Sequence, residues 1–189
     1  LLVDAILDYA DLQFNGSGII WKDYRAKKVI FCEGYKAMEN PWFAHLPFTH
    51  AKGEILTIRA EALKQDFITS KGIFILPLGN DLYRVGSTYD WDDLSPEPTE
   101  KGQSGLIEKL EKLINCDHEV VEHVAGIRPT VKDRRPLIGV HHEHPVVAIF
   151  NGLGTKGVTL APYFAKEFVM FLEGEGRIHP EADIGRFRD

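Results

Sequence analysis

The stretch Val146-Val147-Ala148-Ile149-Phe150-Asn151-Gly152-Leu153-Gly154-Thr155-Lys156-Gly157-Val158-Thr159-Leu160-Ala161-Pro162 constrains this chain more than any other. It opens on an apolar run, β-branched and aromatic residues among it, that reads as a buried strand. A glycine-rich loop follows, and then a helix that tolerates Pro162 only near its start, where a missing N–H costs little. Phe164, Phe168, Phe171 and Leu172 recur at helical spacing, and Gly174 and Gly176 end the run. Strand, loop and helix in this order gather backbone N–H groups at a positive helix end. Such a place receives an anionic or electron-rich ligand group.

Gly152, Gly154 and Gly157 also spell G-x-G-x-x-G. A dinucleotide fingerprint, however, needs a second strand after the helix, ending in an acidic residue roughly 20 positions on. Here Gly174-Glu175-Gly176-Arg177 and a polar tail follow instead. Lys156 also lacks the spacing and hydroxyl neighbour of a phosphate loop. On pattern alone, a tight strand-to-helix turn explains the glycines as well as ligand contact does.

Bulk properties exclude more than they assign. A chain of 189 residues holds one generous domain or two small ones, and its 44% hydrophobic and 26% charged content is that of a globular protein. A net charge of −6 gives no basic face for nucleic acid. No apolar run approaches the roughly 20 residues of a membrane span, and no signal peptide is visible. Cys32 and Cys116 stand far apart and read as buried free thiols of a reducing, cytoplasmic compartment.

Taken in order, residues 2–12 carry a helical stripe of Leu2, Val3, Ile6, Leu7 and Ala10. Short strands are expected over Ser17–Trp21 and Lys27–Cys32, the second running into Gly34, which permits a sharp turn or a close ligand approach. Trp42, Phe43 and Phe48 punctuate a proline-broken connection as core aromatics. From Lys52 the pattern becomes antiparallel sheet, with Ile55, Thr57 and Arg59 on one face and Leu56 and Ile58 on the other. Ile73–Pro77 and Leu82–Gly86 flank a hairpin turn. Thr99 is a fitting N-cap for a helix presenting Leu106, Ile107, Leu110, Leu113 and Ile114, which should lie across the sheet.

A further strand, Glu119–Ile127, leads into Arg128, which Pro129 restrains. This placement suits a fixed, bidentate anion contact, although a surface loop arginine would look the same. His141, His142, Glu143 and His144 read as an exposed turn rather than a metal site, since no further ligand set accompanies them. No nucleophile–base pair is evident, no catalytic side chain is singled out, and His45 and His50 read as structural.

Three stretches in this order resemble the FAD-dependent glycine/D-amino-acid oxidase family. They are Lys28–Tyr35, Gly126-Ile127-Arg128-Pro129 with Asp133, Pro136, Ile138 and Gly139, and Gly152 through Pro162. Lys52-Gly53-Glu54 and Gly86-Ser87-Thr88 fall where that family has sheet signatures. The resemblance implies an α+β fold: an antiparallel substrate-binding sheet with a covering helix, plus the remnant of a Rossmann-like FAD-binding domain. The implied division is 1–45 as that remnant, 46–125 as the sheet and helix, and 126–189 as the returning strand, glycine loop and C-terminal helix. The family's own N-terminal FAD fingerprint is not among these residues. The chain is therefore expected to be a C-terminal portion, inactive alone, that binds FAD only with the missing part.

The implied activity is oxidation of a small-molecule amine or amino acid by hydride transfer to non-covalent FAD, since no cysteine near Gly126–Arg128 offers a thioether. Gly34, Gly126, Ile127 and Gly152, Leu153, Gly154, Thr155, Lys156 and Gly157 match cofactor-facing positions. Arg128 matches an arginine that pairs with substrate carboxylate, and Lys156 a position used for substrate or flavin. Phe74 stands where related glycine oxidases carry a tyrosine hydroxyl, and Thr155 where others place a second arginine. Both departures argue against glycine or a simple D-amino acid as substrate. Gly154→Ala is expected to keep the fold but lose flavin. A non-catalytic ligand-binding or interaction domain is the competing reading. Electron acceptor and oligomeric state leave no mark in the sequence.

Overall fold

The computed structural model of the protein describes residues 5–15 and 18–188. The described strands are β1 (Gln13–Phe14), β2 (Ile19–Trp21), β3 (Tyr24–Ala26), β4 (Val29–Phe31), β5 (Ala51–Arg59) and β6 (Thr69–Lys71). They continue as β7 (Ile73–Gly79), β8 (Leu82–Gly86), β9 (Glu119–Arg128), β10 (Leu137–Val140) and β11 (Val147–Asn151). Two α-helices, α1 (Glu100–Glu111) and α2 (Gly157–Leu172), accompany them. The chain divides into two compact units, residues 50–128 and residues 1–49 with 129–189.

The unit over residues 50–128 is a five-stranded antiparallel sheet in the order β6-β7-β8-β5-β9. Its β7–β8 hairpin turns at Asn80 and Asp81, whose φ angles of 53° and 59° are both left-handed. That geometry twists the two strands correctly and favours Asn and Asp among non-glycine residues. Strand alternation sends Leu56, Ile58, Ile75, Tyr83 and Val85 to one face, where Leu106 and Leu110 of α1 close a buried core over them. Thr99 caps α1 by accepting from the Gly102 N–H. Buried Glu54 adds a carboxylate at the same helix end, accepting from the Thr99 N–H at 2.9 Å and the Thr99 hydroxyl at 2.8 Å. His123 Nε2 lies 2.8 Å from Glu54 as an ion-pair contact, but off the line of a directed hydrogen bond.

In the other unit β11 pairs antiparallel with β10 and parallel with β4. It is buried on both faces, which is why its sequence is continuously apolar. Val147 and Ile149 enter one core with Phe31, Phe43, Leu46 and Leu137, while Ala148 and Phe150 meet Phe164, Phe168, Phe171 and Leu172 of α2. Trp42 and Phe48 pack against the first of these cores. A separate meander, β1-β2-β3, precedes β4.

Several expectations change here. The stripe over residues 2–12 is no α-helix in its described part: a 3₁₀ turn over Tyr9–Asp11 and then β1 replace it, and Ile6 is 92% exposed. So short a run lacks the length to sustain an isolated helix. Leu2, Val3 and Ser17 lie outside the described residues. Helix α2 starts at Gly157, so Pro162 sits inside it rather than at its start. The carbonyl that loses its partner belongs to the turn of Val158, which is 95% exposed and open to water. Cys32 and Cys116 are free thiols, but Cys32 is exposed and Cys116 only partly covered. Two-residue alternation along β4 buries Phe31 and turns Ile30 and Cys32 outward. His141 is buried, whereas His142, Glu143 and His144 of the same turn are exposed.

Candidate functional site

The candidate residues fall into two groups, each built within one unit. In the sheet, register decides which side chains share a face. Phe74 pairs with Gly86, Gly86 with Ile55, and Ile55 with Val124. Two residues along, Gly53 pairs with Gly126, and Ala51 then pairs with Arg128. Phe74, Gly126 and Arg128 therefore share the face turned away from α1, and Ile127 points the other way.

On that face Arg128 is held on all sides. Nη1 donates to the Lys52 carbonyl at 3.2 Å, and Nη2 donates to the Ser87 hydroxyl at 2.7 Å and the Thr88 carbonyl at 3.3 Å. The guanidinium carbon lies 4.3 Å from the Tyr89 ring centre, in cation–π contact. A Cβ on Gly53 would sit 1.9–2.3 Å from the guanidinium atoms, so this position must be glycine for Arg128 to lie there. Burial pulls the Arg128 pKa below its ordinary value. Its partners are neutral, and among the described residues no carboxylate pairs with it. The site is a partly desolvated positive charge without a counter-ion, which favours an incoming anion. Because Nη2 already serves two acceptors, the bidentate contact expected from the sequence is not preformed.

Next to it Lys52, fully buried, reaches out to Asp93 Oδ2 at 2.5 Å and Ser95 Oγ at 3.0 Å. The Lys52 hydrogen bond, with help from the Ser95 N–H, holds the Asp93 carboxyl down at about 2. This ties the loop after β8 onto β5 and settles the backbone of Ser87–Tyr89.

In the other unit the glycine loop leaves β11. Gly152 and Gly154 have φ of 71° and 55°, a region that β-carbons disfavour. A Cβ at Gly152 would lie 2.7 Å from Val131 Cγ2 and 3.0 Å from the Leu137 nitrogen, so core and backbone fill that space. Gly154 donates to the Pro129 carbonyl at 3.3 Å, and a 3₁₀ turn, Gly154–Lys156, leads into α2. No side chain caps α2. Thr155 and Lys156 are exposed, Leu153 partly so, and a Cβ at Gly157 would meet only Leu153 Cβ at 3.8 Å. A positive helix end without a side-chain cap and a position free of Cβ suit a flat, electron-rich ring edge brought against backbone. These features fit a flavin ring. Gly154→Ala is no clean test of that fit, because its positive φ strains alanine regardless; Gly157, with φ −53°, is the better position.

Gly34 belongs with this loop. It follows β4 with φ 61° and open space beside it, and its carbonyl accepts from Asn151 Nδ2 at 2.8 Å. Asn151 Oδ1 accepts from the Gly152 N–H at 2.8 Å. Neighbouring Glu33 accepts from the Tyr9 hydroxyl at 2.6 Å and from Asn40 Nδ2 at 2.9 Å. Burial and the Glu33 carboxylate raise the Tyr9 phenol well above its ordinary value, keeping it a proton donor to Glu33. The sequence assigned no role to Tyr9, Glu33, Asn40 or Asn151, although Glu33 and Asn151 lie within motif stretches. A polar residue ending the apolar β11 run was the one available signal.

The histidine turn offers ligand atoms of His141, Glu143 and His144 within 4.8 Å of one another. His141 Nδ1, however, already accepts from the Glu143 and His144 N–H groups at 3.2 Å each. Burial, followed by the neighbouring His142 and His144, lowers its pKa. The neutral ring therefore carries its proton on Nε2 and presents no free lone pair to a metal.

Comparison with known proteins fits this geometry. The sequence model of the FAD dependent oxidoreductase (DAO) family matches residues 10–170. The chain belongs to this family. Glycine oxidase from Pseudomonas aeruginosa is 26% identical over 175 residues, covering 87% of this chain and 47% of that protein. The tRNA 5-methylaminomethyl-2-thiouridine biosynthesis bifunctional protein MnmC of Legionella pneumophila (strain Corby) is 26% identical over 133 residues, covering 68% of this chain and 20% of its own length. The solved structure of iminodiacetate oxidase from Chelativorans sp. BNC1 superposes with a TM-score of 0.74 at 21% identity, over 90% of this chain and 50% of that one. The chain thus spans about a fifth to a half of the proteins it matches. No helix among the described residues is long and apolar enough to cross a membrane.

Proposed function

We propose that this chain forms the ring-facing and substrate-facing part of a FAD-dependent oxidoreductase acting on a carboxylated amine or amino acid. The observation carrying this reading is Arg128, a desolvated cation fixed by neutral groups and left without an acid partner. FAD, held non-covalently, would supply the two-electron chemistry as acceptor of a hydride from the carbon next to the amine. Arg128 holds the substrate carboxylate, and Phe74 and Gly126 on the same sheet face bound the space beside it. Phe74 offers no hydroxyl, so substrate orientation rests on Arg128. The uncapped start of α2 and the Gly152–Gly157 loop would hold the flavin, where the positive helix end would favour negative charge on it. The exposed side chain of Lys156 makes no hydrogen bond or ion pair among the described residues and is available to either partner.

The same proposal makes the β10-β11-β4 sheet with α2 a portion of a Rossmann-like FAD-binding domain. The position of β4 at the edge of the sheet among the described strands, and the exposed Val158, Tyr163 and Val169 of α2, support this, being surfaces that ordinarily find cover. A reducing, cytoplasmic setting belongs to the proposal and is supported by the free thiols. Arg128→Lys in the flavin-loaded protein tests the reading. It keeps the charge and loses the fork, so kcat/KM on the best carboxylated amine should fall by about 1–3 kcal/mol in transition-state terms. Unchanged kinetics would remove Arg128 from the site.

A further inference from the structure

The parallel pair β4–β11 ends in two glycine turns, and one side chain joins them. Val147, Ala148 and Ile149 run beside Val29, Ile30 and Phe31, so both strands point their carboxyl ends the same way. Ligands of parallel sheets gather at such ends. Each strand leaves into a left-handed glycine, Gly34 at φ 61° and Gly152 at φ 71°. Asn151 is 4% exposed and spans the gap, donating Nδ2–H to the Gly34 carbonyl and accepting the Gly152 N–H on Oδ1, both at 2.8 Å. The amide orientation is determined by these partners: flipped, it would set donor against donor and acceptor against acceptor.

We infer that Asn151 is a positioning residue that locks the two glycine turns into one rigid flavin-facing edge. It touches neither substrate nor reacting atoms, and it acts through the backbone of Gly34 and Gly152. Without it a buried N–H and a carbonyl lose their partners, and each turn is free to choose its own conformation. The Gly34 turn is braced from its other side by Glu33, held between Tyr9 and Asn40. The Gly152 turn is braced by Val131 and Leu137. Asn151 is the member common to both, which makes it the point where disturbance of one turn reaches the other. This inference rests on the flavin reading, but the clasp can be measured without flavin.

Two substitutions separate the halves of the clasp. Asn151→Asp keeps an acceptor for Gly152 and faces Gly34 with a second acceptor, so only the Gly34 half opens. Asn151→Ala opens both. Amide hydrogen exchange on the chain should show the Lys36 N–H, which closes the Gly34 turn onto Glu33, exchanging at least about tenfold faster in both variants. The Gly152 N–H should speed up only in Asn151→Ala, and the core amide of Ile149 should keep its protection in Asn151→Asp. FAD affinity of the flavoprotein, read by flavin fluorescence, should weaken about tenfold in Asn151→Asp. Uniform loss of protection at Lys36, Gly152 and Ile149 in Asn151→Asp would reduce the residue to a stabiliser of the core and overturn the inference. A loosened Gly34 turn with unchanged FAD affinity would also overturn it, leaving the flavin reading intact. If Gly157→Ala also leaves FAD affinity unchanged, the flavin reading itself falls.

Discussion

Gly53 in the sheet and Gly152 in the loop are both glycines in motif stretches, and both are buried, but different neighbours require them. At Gly53 the absent Cβ makes room for the far end of a flexible side chain, the Arg128 guanidinium. At Gly152 it makes room for a core methyl and a backbone nitrogen, and φ is left-handed as well. Gly157, five residues on, leaves room that nothing in its own unit fills. The first glycine makes room for an arginine, the second is required by the fold, and the third, under the proposed function, leaves room for the flavin. A glycine pattern read as letters merges these three cases.

Alanine substitutions should pull them apart, beginning with the largest effect on stability. Gly152→Ala meets rigid neighbours in a disfavoured conformation and should cost about 2–3 kcal/mol in denaturant unfolding. A loss under about 0.5 kcal/mol would mean that the loop relaxes freely and that its shape is not set by Val131 and Leu137. Gly53→Ala should cost less, about 1–2 kcal/mol, because Arg128 can swing away and give up its three hydrogen bonds. Its larger consequence is chemical: the displaced arginine should lower kcat/KM for carboxylated amines as much as Arg128→Lys does. Retained turnover with Gly53→Ala would separate the arginine's position from its use.

The tether beside that arginine adds a pH dependence. Asp93 has its folded carboxyl held down at about 2, below the ordinary 3.8 of this side chain. The stability it contributes is therefore complete above about pH 4 and lost as pH falls through about 2. Asp93→Asn should be less stable at neutral pH and should show a flatter acid limb between pH 4 and 2. Parallel acid limbs for the two proteins would mean that Lys52 is held by other groups. The smallest expected change in stability is that of Gly157→Ala, within about 1 kcal/mol and on the stabilising side, since alanine favours a helix start over glycine. In the flavoprotein the same methyl should weaken FAD binding, which helix propensity does not account for.

Much of the sheet unit was legible beforehand because its determinants are local. Alternation sorts Ile55 and Thr57 from Leu56 and Ile58, Asn80-Asp81 suits a two-residue hairpin turn, and a hydroxyl at Thr99 announces a helix start. The N-terminal stripe was misread because its apolar spacing is shared by any short run that buries one residue in three or four. Leu7 meets its core from irregular chain ahead of the 3₁₀ turn, and Leu12 from the extended residue that ends it. Cys32 was misplaced because alternation along β4 sorts it from Phe31 but does not say which of the two faces the fold will cover.

What the sequence by itself determined is the set of backbone exceptions and side-chain chemistries: glycines at a strand-to-helix turn, an arginine locked before a proline, and a helix that follows a glycine loop. What only the tertiary structure decided is what those features face. Gly53 becomes the seat of Arg128 through the β5–β9 register, which brings residues 75 positions apart onto one sheet face. Asn151 becomes a clasp because β11 lies parallel to β4, 117 residues away from Gly34 in the chain. The physical reason is range: backbone preference acts within a few residues, whereas burial, register and hydrogen-bond partnership are set by segments that meet only once the chain has folded.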